Sequence, residues 1–243
     1  MELYLIRHGQ SANNALKDES ERSQDPSLTE IGMQQADYIA QWFGNGENLD
    51  PYVNHATGYT EHSHSNAFGI THLYTSAMHR AMQTARPIGK ALGIQPEIWV
   101  EIHEHGGIYL ERDGIIEGYP GRTRAEIEAE FPEYVIPEGV NEKGWWDASR
   151  GREARHAAYG RAIMLAGELR YRAEKTPEQR IAIVTHGTFI DSLLKALTNQ
   201  LPTRSMFYAH YNTAITQVDF LENNQIVFRY VNRTSHLPHA LLT

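Results

Sequence analysis

The sequence predicts a layered α/β fold built on a mostly parallel β-sheet. Strand-like apolar runs alternate with helical segments along the chain, as they do when helices cover a parallel sheet. The run Ile181-Ala182-Ile183-Val184 is apolar and β-branched, which is typical of a buried central parallel strand. A histidine followed by a glycine comes at the end of the first predicted strand, at His8, and at the end of this later strand, at His186.

The elements of the first half are indicated by an apolar run and by helix-start residues. The run Leu3-Tyr4-Leu5-Ile6 predicts the first strand. Ser27 and Glu30 have the spacing of a capping box, in which the serine accepts a hydrogen bond from the first turn and the glutamate reaches back. This half is predicted to contain strands at about 2–7 and 70–75 and helices at about 29–43 and 77–92.

The second half is predicted from similar signals. Thr123 and Glu126 form a second capping box, and the helix it opens stops at Pro132. Residues 106–121 are glycine-rich and are expected to form a loop. The remaining elements are an edge strand at about 98–102, helices at about 123–131, 152–175 and from 189, and strands at about 181–184, 214–221 and 226–231.

Composition limits the classes of function. The chain has 243 residues, a formal net charge of -8 and no cysteine. The charge argues against a surface for nucleic acid or an anionic membrane, and the lack of cysteine excludes disulfides and thiolate chemistry. No apolar run reaches the roughly 20 residues of a membrane span, and no signal-peptide pattern is present. We expect one domain over residues 1–243 in the cytoplasm, and no pattern indicates an oligomeric state.

Four motifs carry residues that suit phosphate binding. Arg7-His8-Gly9 and Thr185-His186-Gly187 both follow predicted strands. Since sites in parallel sheets form outside the carboxyl ends of the strands, the two histidines are expected to meet there. Arg80 lies in the first turn of a helix, where backbone N–H groups and a guanidinium can both bind an anion. Glu104 adds a carboxylate after the edge strand.

These motifs resemble the signatures of the histidine phosphatase superfamily, also called the phosphoglycerate mutase-like family. The matching segments are Arg7-His8-Gly9, the Leu-Thr-x-x-Gly-x-x-Gln-Ala pattern at 28–36, Arg-Ala-x-Gln-Thr-Ala at 80–85, the second histidine motif at 184–187, and the phosphatase-like ending at 232–237. The resemblance covers most of the chain apart from about 44–68 and parts of 109–146. It implies a three-layer α/β/α fold.

The resemblance also implies a mechanism. His8 is expected to be the nucleophile that accepts a phosphoryl group, and Glu104 the general acid. Phosphoryl transfer needs alignment and charge neutralisation, which two arginines and a protonated His186 can supply without magnesium. Neighbouring cations should lower the pKa of His8, as a neutral nucleophile requires. The expected phosphate- and substrate-binding residues are Arg7, Asn14, Thr29, Arg80, His186 and Gly187, and neither a metal nor another cofactor is expected.

Several residues have a second interpretation. Glu101 and Glu111 lie near Glu104 and compete for the role of the acid. Asn13 either shares the phosphate or forms a turn. Arg122 and Arg124 either bind a ligand or are solvated at the start of a helix. A metal site and a histidine-rich loop are the two interpretations of Glu61, His62, His64, His103 and His105. Trp145 and Trp146 either pack in the core or contact a ligand.

The sequence thus predicts a metal-independent phosphomonoesterase that hydrolyses a small phosphorylated metabolite through a phosphohistidine. Two insertions, at about 44–68 and 107–146, are expected to form a lid over the site. The alternatives are a cofactor-dependent phosphoglycerate mutase and a non-catalytic protein that binds phosphorylated ligands. Against the mutase, the chain lacks the paired arginines followed by a proline run that mutases carry in their insertion.

Overall fold

The computed structural model describes residues 1–45, 68–203 and 205–243, which form eight strands and six α-helices. The strands are β1 Glu2–Arg7, β2 His72–Thr75, β3 Glu97–Ile98, β4 Tyr109–Arg112, β5 Ile115–Gly118, β6 Arg180–Thr185, β7 Ile215–Phe220 and β8 Ile226–Arg233. The helices are α1 Ala12–Ala15, α2 Glu30–Asn45, α3 His79–Leu92, α4 Arg124–Glu130, α5 Arg155–Lys175 and α6 Gly187–Leu197.

Six strands form one mixed sheet in the order β3-β2-β6-β1-β7-β8. The first four of these run parallel, whereas β7 and β8 are antiparallel to their neighbours. In the pairing of β1 with β6, Arg7 lies opposite Thr185. Since both strands end at this pair, the residues that follow them emerge side by side at one edge of the sheet. The prediction of a mostly parallel sheet is confirmed.

Alternation along the central strands divides the core into two layers of contacts. Leu3 and Leu5 of β1 pack in a buried cluster with the apolar side chains of α5 and α6. Tyr4 and Ile6, which point to the other face of the sheet, pack with α2 and α3. Helices therefore cover both faces of the sheet, and the three-layer α/β/α architecture is confirmed.

Three local predictions were wrong. The edge strand expected at 98–102 is only the two-residue β3, followed by a 3-10 turn over Val100–Ile102 that buries Ile102. The loop expected at 106–121 contains the antiparallel hairpin β4-β5, whose Ile115 is 72% exposed. Thr29, rather than Ser27, caps α2, because its hydroxyl accepts from Gly32 N at 3.0 Å.

The segment that follows the hairpin packs as a third buried cluster. Trp145 and Trp146 are each 7% exposed and pack with Met78 and Met82 near the start of α3. Core packing is therefore the correct interpretation of the tryptophan pair.

Of the two segments predicted as a lid, residues 46–67 of the first lie outside the described residues. In the described parts of the chain, no helix combines the length and the apolar character needed to cross a membrane.

Candidate active site

A cleft of about 810 Å³ opens at the carboxyl end of β1. Arg7, His8, Asn14, Arg80 and Glu104 all contribute to its walls. The loop after α1 and the β4-β5 hairpin supply most of the remaining lining. The remaining lining residues are Ser11, Asn13, Glu19, Ser20, Arg22, Ser23, Gln24, Pro26, Met78, His105, Gly107, Tyr109, Leu110, Glu111, Arg112, Asp113, Gly114 and Arg152. The structure thus brings five of the predicted site residues to one cavity.

The hydrogen bonds of His8 define its tautomer. Its Nδ1 lies 2.6 Å from the Gly9 carbonyl oxygen, which can only accept a hydrogen bond. Its Nε2 lies 3.1 Å from Nε of Arg80, which can only donate. Nδ1 therefore carries the proton, and Nε2 keeps its lone pair. Burial, followed by the charges of Arg80 and Arg7, holds the pKa of His8 well below its usual value, so the ring is neutral.

The backbone around His8 is held from three sides. The His8 N–H donates to the Thr185 carbonyl at 2.9 Å, and the side chain of Asn212 donates to the His8 carbonyl at 2.8 Å. Gly9 packs closely against α2. A Cβ at Gly9 would lie 2.6 Å from the Gly32 carbonyl oxygen. Glycine is therefore required here by close backbone packing.

Two arginines supply positive charge beside His8. Arg7 donates through Nη1 to the His210 carbonyl at 2.6 Å, and its buried Nε has no hydrogen-bond partner in the described residues. Arg80 donates to His8, and its Nη1 lies 3.8 Å from Asp25. Asp25 also accepts from His79 N at 3.0 Å, and its burial raises its pKa. Asp25 thus fixes both the start of α3 and the guanidinium that reaches His8.

His186 is completely buried next to His8, and the centroids of the two rings are 5.0 Å apart. Its Nε2 lies 2.9 Å from the hydroxyl of Ser76, whereas Nδ1 has no partner within the described parts of the chain. Burial, then Arg80 and His8, lower the pKa of His186 well below its usual value. The expected protonated state of His186 is therefore wrong for the free site, and the residue does not line the cleft.

Glu104 is anchored by backbone donors. Its carboxylate accepts from the N–H groups of His105 at 2.9 Å, Thr188 at 3.2 Å and Phe189 at 3.0 Å. Two of these donors belong to the first turn of α6, where the helix dipole favours negative charge. Of the two competing glutamates, Glu101 is exposed, and Glu111 lines the cleft but pairs with Arg152 at 3.3 Å.

The remaining predicted ligands differ in their placement. Asn14 lines the cleft, and its side-chain oxygen accepts from Ser11 N at 3.1 Å. Thr29, predicted to bind phosphate or substrate, is engaged as the cap of α2 and does not line the cleft. Gly187 also lies outside the lining, although a Cβ there would meet Arg7 Nε at 3.4 Å. Both predictions came from motif membership, which does not separate a ligand from a packing residue.

Other open alternatives are decided by hydrogen bonds. Asn13 lies in α1 and lines the cleft, and its amide exchanges two hydrogen bonds with the backbone of Ser23, so it ties α1 to the following loop rather than forming a turn. Arg122 pairs with Glu130 at 2.7 Å, and Arg124 donates to backbone carbonyls, so neither arginine reaches the cleft. Among residues 1–45, 68–203 and 205–243, no three His, Asp or Glu side chains are grouped as a metal site requires. Glu61, His62 and His64 lie outside these ranges.

Sequence reasoning missed Asp25 and Ser76. Asp25 precedes a proline in a polar loop, which indicates a turn rather than a partner for Arg80. Ser76 ends the second predicted strand, and its position at the carboxyl end of the sheet was the one available signal. The site as a whole combines a neutral imidazole, two guanidinium groups and an anchored carboxylate, which is equipment for transferring a phosphoryl group.

Comparisons with known proteins identify the family of the chain. The model of the histidine phosphatase superfamily (branch 1) matches residues 3–53 and 62–233. A curated relative from Cronobacter sakazakii, named probable phosphoglycerate mutase GpmB, is 24% identical in an alignment covering 100% of this chain and 97% of that protein.

Solved structures share the fold at low identity. A mycobacterial glucosyl-3-phosphoglycerate phosphatase aligns with a TM-score of 0.58 at 22% identity, over 96% of this chain and 99% of that one. A phosphoserine phosphatase from Entamoeba histolytica aligns with a TM-score of 0.58 at 21% identity, over 98% and 99%. From the family match over most of its length, the chain belongs to the histidine phosphatase superfamily.

Proposed function

We propose that the protein is a metal-independent phosphomonoesterase that hydrolyses a small phosphorylated metabolite through a phosphohistidine on His8. The observation that carries this proposal is the hydrogen bonding of His8, which places the proton of a neutral ring on Nδ1 and leaves Nε2 unprotonated, with Arg80 at the cleft as its donor. Arg7 and Arg80 flank this atom and provide the charge neutralisation that phosphoryl transfer needs.

In the first step, Nε2 of His8 attacks phosphorus, the N–P bond forms, and the P–O bond to the leaving group breaks. Arg80 exchanges its hydrogen bond to Nε2 for one to a nonbridging phosphate oxygen, which frees the lone pair for attack, and Arg7 also binds the nonbridging oxygens. Glu104 donates a proton to the leaving oxygen, so that a neutral alcohol departs. The hydrogen bond from Nδ1 to the Gly9 carbonyl keeps the ring oriented throughout.

In the second step, water attacks the phosphohistidine. Glu104, now a carboxylate, accepts a proton from this water. The new O–P bond forms while the P–N bond breaks, and the electron pair returns to Nε2 of His8. Inorganic phosphate is released, and the site regains its starting protonation state.

Hydrolysis is preferred to mutase activity because two arginines of the second insertion are engaged away from the cleft and because the structural neighbours are phosphatases. A mutase must rebind a phosphorylated acid and return the phosphoryl group to a second hydroxyl. Arg122 and Arg124 of the second insertion are held by Glu130 and by backbone carbonyls away from the cleft, whereas Arg112 of the same insertion lines the cleft. The two structural neighbours described above are named as phosphatases, which supports the same reaction type for this chain.

The test is hydrolysis of nitrophenyl phosphate by the wild-type protein and by His8→Ala, both in EDTA. We expect turnover by the wild type and none by the variant, with a labelled phosphoprotein trapped under alkaline quench in the wild type alone. A wild type without turnover contradicts the proposal. Conversion of 3-phosphoglycerate to its isomer, without release of phosphate, would instead identify a mutase.

A further inference from the structure

Glu104 lies on a segment that is held from behind by three buried polar side chains, Arg161, Glu153 and His103, here called the Arg161 cluster. Their side chains are only 11%, 9% and 6% exposed. None of the three lines the cleft, and the mechanism above uses none of them. Burying a charged group costs free energy unless it is paired, so such a cluster needs a reason.

Arg161 reaches both sides of the Glu104 segment. Its Nη1 donates to the carbonyl oxygens of Glu101 and, at 2.9 Å, of His103, which directly precedes Glu104. Its guanidinium also lies over the ring of Phe189, 4.5 Å from the centroid. The N–H group of Phe189 is one of the donors to the Glu104 carboxylate. One guanidinium therefore contacts the backbone that carries Glu104 and the helix turn that receives it.

Glu153 holds Arg161 in this orientation. Its two carboxylate oxygens accept from Nε and Nη2 of Arg161 at 3.1 and 2.8 Å, which is the bidentate geometry of a strong pair. The Glu153 N–H donates to the Gly106 carbonyl at 2.9 Å, so it also secures the far end of the segment. Burial raises the pKa of Glu153, but the nearby ring of His103, whose Nε2 lies 3.7 Å away, and the hydrogen bonds from Arg161 outweigh it and bring the pKa to about 2.

We propose that Arg161, held by Glu153, is a positioning residue that keeps the Glu104 carboxyl where it protonates the leaving group. This inference rests on the proposed function of Glu104. It predicts a specific kinetic signature, because only leaving groups that need a proton depend on the acid. The parameter kcat/KM covers the steps up to departure of the leaving group, and so it separates protonation from the later attack of water.

The experiment compares kcat/KM for phenyl phosphate, whose phenolate is a poor leaving group, with dinitrophenyl phosphate, whose phenolate leaves without a proton. Glu104→Gln defines the signature of a missing acid. We expect Arg161→Met to lower kcat/KM for phenyl phosphate by about 10²-fold, as a misplaced catalytic group does. For dinitrophenyl phosphate the change should stay within about threefold. Arg161→Lys and Glu153→Gln should show the same selectivity with a smaller loss.

Arg229→Met is the matched control. Arg229 and Asp219 form an equally buried pair, 6% and 5% exposed, at the amino end of the sheet, where Asp219 lies opposite Glu2. Loss of the Arg229 guanidinium should lower the midpoint temperature of thermal unfolding without changing the ratio of kcat/KM for phenyl phosphate to kcat/KM for dinitrophenyl phosphate.

Each outcome has one reading. Equal losses on both substrates in the Arg161 and Glu153 variants would overturn the inference and leave the cluster a structural role. If Arg161→Met does not fold, the lysine and glutamine variants decide in the same way. If Glu104→Gln itself shows no selectivity, the assignment of the acid fails instead, and a wild type without turnover would contradict the proposed function.

Discussion

Replacing Gly9 by alanine tests whether backbone packing on α2 sets the position of His8. The added Cβ would lie 2.6 Å from the Gly32 carbonyl oxygen, whereas such contacts essentially never fall below 3.0 Å. The backbone must therefore move by at least 0.4 Å, and the neighbouring His8 moves with it. Relief from α2 is restricted, since a Cβ at Gly32 would lie only 2.1 Å from the Gln10 carbonyl oxygen.

The expected effect of Gly9→Ala follows from this displacement. A 1 Å misplacement of a catalytic group costs about 10²-fold in rate, so a shift near half that size predicts a loss of about tenfold in kcat/KM. Overpacking should also cost about 1–3 kcal/mol of unfolding free energy. Nitrophenyl phosphate kinetics and urea denaturation measure the two effects. Gly160→Ala is the control, because its Cβ meets nothing within 4 Å in α5. Activity of Gly9→Ala within twofold of the wild type would refute the reasoning.

Three further predictions concern charge. Arg80→Met should lower kcat/KM by about 10³-fold, because a charge that neutralises the phosphate is lost. The acidic limb of the pH profile of kcat/KM should also move to higher pH, because burial and Arg80 together lower the pKa of His8. An unchanged acidic limb in a pH series would contradict this. Burial and then Arg233 lower the pKa of His236 from 6.5 to about 4 in the folded protein. Between pH 6.5 and about 4 His236 is therefore protonated in the unfolded chain but not in the folded one, and the free energy of unfolding falls as the pH falls through this range. Relative to His236→Gln, the wild type should lose up to roughly 3 kcal/mol across it in urea titrations, and parallel stability curves would exclude this contribution. Lys195→Met should cost about 3–5 kcal/mol by leaving Asp191 unpaired in the core, and Asp191→Leu in the same chain should recover part of this loss in chemical denaturation; a double variant as unstable as the sum of the singles would argue against the pairing.

The fold was predictable where one local signal dominates. The buried runs of β1 and β6 and the capping box before α4 are confirmed because each rests on adjacent residues. The hairpin at 109–118 was missed since β5 is exposed along its length, so burial leaves no alternation in its sequence. At 98–102, an apolar run is compatible with a strand or a turn, and packing of Ile102 beneath the sheet favoured the turn.

For the site, strand-end position was the informative signal, and it correctly predicted that His8 and His186 lie side by side. The partners that orient the site depend instead on contacts between distant segments. Asp25 meets Arg80 only when the loop after α1 docks on α3, and Arg161 meets the Glu104 segment only when α5 packs on α6. No local pattern encodes these meetings. The residues that orient the catalytic side chains could therefore be identified only from the structure.

The pairing of β1 with β6 has a consequence for how the protein loses activity. Because both strands are buried on both faces, a slip of one residue would turn Leu3 and Leu5 away from their cluster and place Tyr4 and Ile6 there instead. His8 and His186 therefore cannot drift apart while the domain stays folded. Inactivation and global unfolding should be a single cooperative event, with enzyme activity and near-ultraviolet circular dichroism falling at the same urea concentration.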